Sequence, residues 1–339
     1  MPSRRAAIAA LAAATTTALA KNEKNPPTAL VYDPLFLQHK TPPGHPETPQ
    51  RLKSVVAAIE KSKFSKLLLR AKPKPANSLT LTACHKRAYL RSVVADVKAM
   101  RSRLSTGDTP LSPRSLEVAQ LAAGGACTAV DLVMKNRAKN AFCLLRPPGH
   151  HATPKRGMGF CIYNNVAIAA RYAQSKHKIG KVLIVDWDVH HGNGTQDIFY
   201  DDPSVFFFSV HQSPWYPGTG AKNETGQGKG LGSTMNRPFP AGAGRKQIHG
   251  AFTKSLMPAL QRFRPELILI SAGFDSRIND PLGRFRLTDK DFVELTDLML
   301  KAAKQFCQGR LVSILEGGYN LTGLASAATA HCQRLHQGA

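Results

Sequence analysis

The sequence is poor in acid, in paired cysteine and in long apolar runs. Asp and Glu together number 22 against 46 Lys and Arg, a formal net charge of +24 at pH 7 over 339 residues. Such a surface attracts polyanions. The basic residues are scattered, however, and no RNA-binding or helix-turn-helix signature accompanies them. A generally basic proteome and a dedicated nucleic-acid site account for the charge equally well, and weak polyanion association is the expectation. The six cysteines, Cys84, Cys127, Cys143, Cys161, Cys307 and Cys332, include no CxxC pair. In a chain with this much core they read as small buried hydrophobes, not as a disulfide framework. No internal repeat is apparent. The N-terminal apolar stretch is too short and too rich in Ala and Thr for a membrane anchor, so no transmembrane segment is expected.

What is present is a globular α/β pattern behind a leader-like segment. Residues 1–20, MPSRRAAIAALAAATTTALA, run from a basic head through an apolar middle to Ala18-Leu19-Ala20. This order predicts an export signal, with Arg4-Arg5 suggesting a twin-arginine route. The absence of acid before Glu23 also fits an organelle transit segment, and a plain cytoplasmic tail is the third possibility. From residue 28 to 337 one catalytic domain is expected. Strands are predicted at Ala29–Tyr32, Ala141–Leu145, Val182–Val185, Val205–Val210, Leu267–Ser271 and Leu311–Leu315. Helices are predicted at Thr48–Lys61, Pro113–Lys135, Asn164–Ser175, Lys246–Arg262, Thr288–Gln305 and Leu321–Leu335, with Ser112 and Thr288 supplying capping oxygens. The alternation implies a mainly parallel sheet covered on both faces. Gln212–Arg245, rich in Gly, Pro and Asn, reads as a long functional loop.

Polar residues gather where strands end, which is where open parallel sheets bind ligands. One strand runs into Arg146-Pro-Pro-Gly-His150-His151, another into Asp186-Trp-Asp188-Val-His190. Two more run into Ala-Gly-Phe-Asp275 and Glu316-Gly-Gly-Tyr319. Asp186, Asp188 and His190 are spaced by two, which in extended chain puts them on one face. Asp188 and His190 can then grip one ion, with Asp275 arriving from another strand. Two carboxylates and an imidazole suit zinc, iron(II) or cobalt and leave positions open for water. The His150-His151 pair is placed to act as acid and base. Tyr319, after two glycines, can donate to a developing oxyanion.

The segments GHPETPQR, RPPGHHA, GFCIYNNVAIAA, VDWDVHHGNGTQDIFY, PWYPGTG, SAGFDSRINDPLG and LEGGYN together resemble the histone deacetylases and their bacterial relatives, in family order. The resemblance implies an arginase/deacetylase-type three-layer α/β/α fold and a Zn2+ ion, with Fe2+ as the alternative, on Asp188, His190 and Asp275. His151 matches the general base. His150 matches its electrostatic partner, oriented by Asp186. Tyr319 matches the phenol that polarises the acyl carbonyl. Gly159 and Phe160, with Tyr216 across from them, match a narrow tunnel for the acyl-lysine stem, and Leu282 its rim. Asp108 matches an acidic loop residue that binds substrate backbone, and Arg51 an arginine below the metal. A structural K+ ion is implied near Asp186, Asp188, His190 and Ser209. Asn193 departs from the class I pattern, which has Asp there, and follows class II; a neutral partner raises the pKa of His151 less than a carboxylate would.

The function expected from this reading is removal of acetyl or other short acyl groups from lysine side chains of proteins or peptides. The alternative is a small-molecule deacetylase for acetylpolyamines or related amides. A catalytically silent binding protein of the same fold is the rival from another class. Leu282 offers no carboxylate to a distal ammonium, so the polyamine reading leans on acid in the Gly-rich loop, chiefly Glu224.

Overall fold

The computed structural model describes residues 26–338; the leader-like segment 1–20 lies outside them. Eight strands form one wholly parallel sheet: β1 (Thr28–Val31), β2 (Leu69–Ala71), β3 (Asn140–Cys143), β4 (Val182–Asp186), β5 (Val205–Gln212), β6 (Thr234–Phe239), β7 (Leu267–Ala272) and β8 (Leu311–Leu315). Their order is β2-β1-β3-β8-β7-β4-β5-β6. The last two strands therefore enter between β3 and β4 and bring late sequence to the middle of the sheet. β1, β3, β4, β5, β7 and β8 are buried throughout, as their continuous apolar runs require.

The helices are α1 (Pro49–Lys61), α2 (Ser78–Thr82), α3 (Arg87–Lys98), α4 (Ser115–Met134), α5 (Asn165–His177), α6 (Asn193–Phe199), α7 (Arg245–Ala251), α8 (Met257–Phe263), α9 (Asp289–Phe306) and α10 (Leu321–Gln337). A π-helical stretch, Phe252–Leu256, joins α7 to α8, so the single helix expected there is interrupted. α4 packs against α5, β1, β3 and β8, while α10 packs against α1, α9 and β3. α4 has the length and composition to cross a bilayer, but its apolar surface is spent on this core.

Of three local expectations, two change and one holds. Ser112 does not cap α4: the helix begins at Ser115, whose hydroxyl accepts from the Ser112 N–H and contacts His39 Nδ1. Thr288 does cap α9, in a reciprocal box with Asp291. The stretch Gln212–Arg245 is not all loop, because Thr234–Phe239 pairs in parallel with β5. Its polar residues and Pro238 hid it, and both are tolerated because β6 is an edge strand.

Register carries this architecture to the site. Cys143 pairs with Ile314, Ile314 with Ser271, Ser271 with Asp186, and Asp186 with Ser209. The residues following β3, β8, β7 and β4 consequently emerge at one level, on adjacent strands.

Candidate active site

β4 stops at Asp186, and the chain turns before Asp188 and His190. The one-face expectation for the three residues is thus corrected, because they do not lie on extended chain. Asp186 turns to His150, its Oδ2 lying 2.9 Å from Nδ1. Asp188 and His190 instead meet Asp275, and these three side chains are the one group among the described residues that could hold a metal ion. His190 Nδ1 lies 2.9 Å from Asp188 Oδ1 and 3.2 Å from Asp275 Oδ2. The outer oxygens are held by backbone: Asp188 Oδ2 accepts from Gly317 N–H at 2.8 Å, and Asp275 Oδ1 from Val189 N–H at 2.8 Å.

Two observations say that this cluster suits a cation. Asp275 Oδ2 is buried and, despite its closeness to His190, accepts no hydrogen bond. A buried carboxylate oxygen left so is costly unless something positive meets it. Gly317 is the second: a Cβ there would sit 2.0 Å from Asp275 Oδ2 and 2.5 Å from Asp188 Oδ2, so only glycine lets the chain pass this close. When protons alone balance these charges, burial and then Asp188 push Asp275 up to about 7. His190 is held up at about 10, its carboxylate neighbours outweighing burial. A divalent ion would replace those protons, and the mixed oxygen–nitrogen donor set suits a borderline metal such as zinc or iron(II).

The two histidines are driven to opposite states. Burial disfavours charge on both. For His150, Asp188 and Asp186 outweigh burial, and its pKa rises well above the ordinary value. For His151, burial is joined by the charge on His150 and His190, and its pKa falls well below. Asn193 Oδ1 lies 2.8 Å from His151 Nδ1. It therefore accepts the Nδ1 proton and leaves Nε2 as the basic nitrogen. The backbone under the pair is clamped as well. Asn164 Nδ2 donates to the His150 and Ala152 carbonyls, and Asn165 Nδ2 to that of Pro147. Glu316 accepts from the Gly149 and His150 N–H groups.

Tyr319 stands opposite. Burial first, then nearby carboxylates, raise its phenol well above the usual range despite Arg51, so it remains a proton donor. Arg51 lies beneath it, its guanidinium 4.8 Å from the ring centre. Arg51 Nε donates to the Gly318 carbonyl at 2.6 Å and Nη1 to Glu47 at 3.1 Å; Nη2 donates to the Glu316 carbonyl. Glu47 also takes a two-pronged contact from Arg146 at 2.5 and 2.7 Å. Burial pushes Glu47 up, but Arg146 and Arg51 win and hold it at about 2.

A cavity of about 220 Å³ leads down to this chemistry, lined by Asp108, His151, Gly159, Phe160, His190, Trp215, Tyr216, Leu282 and Tyr319. The Tyr216 ring meets His151 edge-on at 5.2 Å, and Phe160 meets Tyr319 edge-on at 6.0 Å. Gly159, at φ +56, lies against His151, where a Cβ would come within 2.3 Å of the imidazole. Asp108 Oδ1 accepts from Gly159 N–H at 2.8 Å, which ties the acidic loop to the slot wall.

The Histone deacetylase domain pattern matches residues 45–335, most of the chain. The chain belongs to the histone deacetylase family. Among its relatives, Histone deacetylase 10, chloroplastic, of Oryza sativa is 42% identical over 304 residues, 84% of this chain and 68% of that one. Histone deacetylase 14, chloroplastic, of Arabidopsis thaliana is 40% identical, covering 84% and 71%. A Histone deacetylase-like amidohydrolase of Pseudomonas aeruginosa is 38% identical, covering 86% and 82%. The crystal structure of the HDA15 HD domain superposes with a TM-score of 0.87 at 36% identity, over 93% of this chain and 89% of that one. The fold is therefore the three-layer arginase/deacetylase type.

The site residues singled out from sequence come together, with Asp108 and Leu282 at the mouth and Arg51 and Asp186 behind the cavity. Others were passed over. Trp215 lines the slot and donates to the Leu282 carbonyl at 2.8 Å. Asp280 accepts from the backbone N–H groups of Tyr319, Asn320 and Leu282. Glu47 and Arg146 form the buried pairs under Arg51. All four sit inside the family motifs, in PWYPGTG, NDPLG, GHPETPQR and RPPGHHA. The surrounding motif was their only signal. Glu224 is corrected: it faces inward, accepting from Gln196 and from the Gly220 and Ala221 N–H groups, so it is not free to meet a substrate ammonium.

Proposed function

We propose that the chain is a metal-dependent hydrolase that removes acetyl or other short acyl groups from lysine side chains of proteins or peptides, with Zn2+ as the metal and Fe2+ as the alternative. The observation that carries this reading is that His151, His190 and Tyr319 line the floor of one slim cavity beside the Asp188–His190–Asp275 cluster.

The ion, when bound, supplies Lewis acidity to the acyl oxygen and acidity to a water. The remaining work falls to the chain. His151 Nε2, neutral and with its other nitrogen committed to Asn193, takes the proton of the attacking water. The Tyr319 hydroxyl donates to the oxygen that becomes negative as the carbonyl carbon turns tetrahedral. His151 then returns its proton to the leaving lysine nitrogen. His150, held charged by Asp188 and Asp186, stays protonated and keeps its neighbour neutral. The slot of Gly159, Phe160 and Tyr216 fits an uncharged alkyl stem, and Asp108 at the mouth can accept from substrate backbone N–H.

The lysine reading stands ahead of the polyamine one. Leu282 brings no charge to the rim, and Glu224 is committed elsewhere. An acetyl-lysine peptide should be hydrolysed with higher kcat/KM than N-acetylputrescine or N-acetylspermidine. A polyamine advantage of about tenfold, or 1.4 kcal/mol in the transition state, reverses the assignment. A protein that binds metal but turns over neither substrate is the silent homologue. Chelation followed by Zn2+ or Fe2+ return identifies the supporting ion.

A structural K+ ion near Asp186, Asp188, His190 and Ser209 remains part of the proposal, since Asp186 and Ser209 are register partners. Comparing activity in KCl and NaCl checks it. For residues 1–20, the chloroplastic names of two relatives favour an organelle transit segment over export. The location of a fluorescent protein fused behind residues 1–25 decides between them.

A further inference from the structure

Two exposed arginines flank the mouth of the cavity, outside its lining. Arg284 is exposed and lies over Trp215, its guanidinium carbon 5.4 Å from the ring centre. Trp215 is itself anchored by its indole N–H to the Leu282 carbonyl. This stack holds the Arg284 cation at the rim on one side. On the other, Arg156 is exposed three residues before the lining Gly159, on a stretch tied to the Asp108 loop where Gly157 N–H donates to the Thr106 hydroxyl at 3.3 Å. Neither arginine has a carboxylate within 4.0 Å among the described residues. The one carboxylate in the cavity lining is Asp108, and one of its oxygens accepts from Gly159 N–H.

We propose that Arg156 and Arg284 are two cationic arms that select acyl-lysine substrates with carboxylates flanking the modified residue, that is, acidic peptide segments. This deepens the deacetylase reading of the site and rests on it for turnover. With the stem in the slot, the substrate backbone lies across the mouth. Side chains one or two residues from the acyl-lysine then fall beside the arms, and Asp108 is left to receive backbone N–H groups. A distal ammonium meets two cations there, against the single carboxylate of Asp108. Exposed pairs of this kind are worth up to about fivefold each.

The test compares three acetyl-lysine peptides of equal length, flanked by acidic, neutral or basic residues. Turnover is read as kcat/KM, and affinity by anisotropy of the labelled peptides, which needs no catalysis. At about 20 mM salt the acidic peptide should exceed the basic one by about tenfold in both readouts, and the gap should close at about 500 mM. Arg156→Gln and Arg284→Gln should each cut the acidic-to-basic ratio about three- to fivefold, and the Arg156→Glu/Arg284→Glu double variant should invert it. Both side chains are exposed and unpaired, and the single Gln variants keep the test valid if the double variant misfolds. A preference for the basic peptide, or an acidic preference that survives both substitutions and so comes from the +24 field of the whole chain, overturns the proposal. Arg-dependent binding of the acidic peptide without hydrolysis supports the arms and removes the lysine deacetylase reading instead.

Discussion

The floor of the site and its mouth are built in opposite ways. The floor is delivered by four adjacent strand ends in common register, and its metal-cluster and histidine side chains are buried, with Tyr319 half-buried beside them. The mouth is assembled from loops around Asp108, Gly159, Trp215 and Leu282; Tyr216 is 39% exposed, and Arg284 lies over Trp215 at its edge. A rigid floor pre-organises charges for a transition state, whereas an exposed rim adjusts affinity by small increments. Perturbing the floor should therefore abolish function, and perturbing the mouth should retune it.

The largest effect is expected at the ligand cluster. Asp188→Ala, His190→Ala or Asp275→Ala should remove both metal retention and activity, because two remaining ligands rarely hold a catalytic ion. Elemental analysis beside turnover checks this, and a metal-replete, active Asp275→Ala protein would falsify the ligand set. Next, Tyr319→Phe should keep metal and fold but lose on the order of a hundredfold in kcat. His151→Ala should lose at least as much, so near-normal rates in either variant reject Tyr319 as the oxyanion donor or His151 as the base.

Beneath the floor, Glu47→Ala leaves Arg51 and Arg146 buried without their carboxylate and should destabilise the fold by about 3–5 kcal/mol in denaturant titration. The same pairing has a pH signature. The folded-state pKa of Glu47 is depressed, to about 2. Its contribution is therefore complete above the unfolded carboxylate pKa and is lost as pH falls toward 2. Acid unfolding should accordingly begin at higher pH in Glu47→Gln than in the parent.

The smallest expected change at the floor is Asn193→Asp. The new carboxylate faces His151 Nδ1 at the distance of the present amide and should raise the His151 pKa. Because the neutral imidazole is the base, the acid limb of the kcat/KM profile should move upward by about one pH unit. An unmoved limb would mean that another group controls it. At the mouth, the substitutions at Arg156 and Arg284 should alter peptide choice by only a few-fold, which completes the contrast.

Legibility from sequence differs between the same two regions. Six of the eight strands were legible because a strand buried on both faces must be continuously apolar. β2 and β6 were not, since edge strands are short or polar and may contain proline. The metal and acid–base residues stood out because charge at the end of a buried strand has no structural excuse. Trp215, Asp280 and Glu47 did not, because their roles lie in what they touch across the fold.

The sequence by itself determined the parallel α/β layering, the family, and which residues could bind a cation or carry protons. These follow from residue type and short-range spacing, which chain geometry makes periodic. Only the tertiary structure decided that Glu224 turns inward, that Trp215 and Asp280 brace the slot and Tyr319, and that Arg156 and Arg284 are left without carboxylate partners. Each of those outcomes is a competition among groups far apart in the chain for the same few neighbours. The strand order, with β7 and β8 entering between β3 and β4, settles who meets whom.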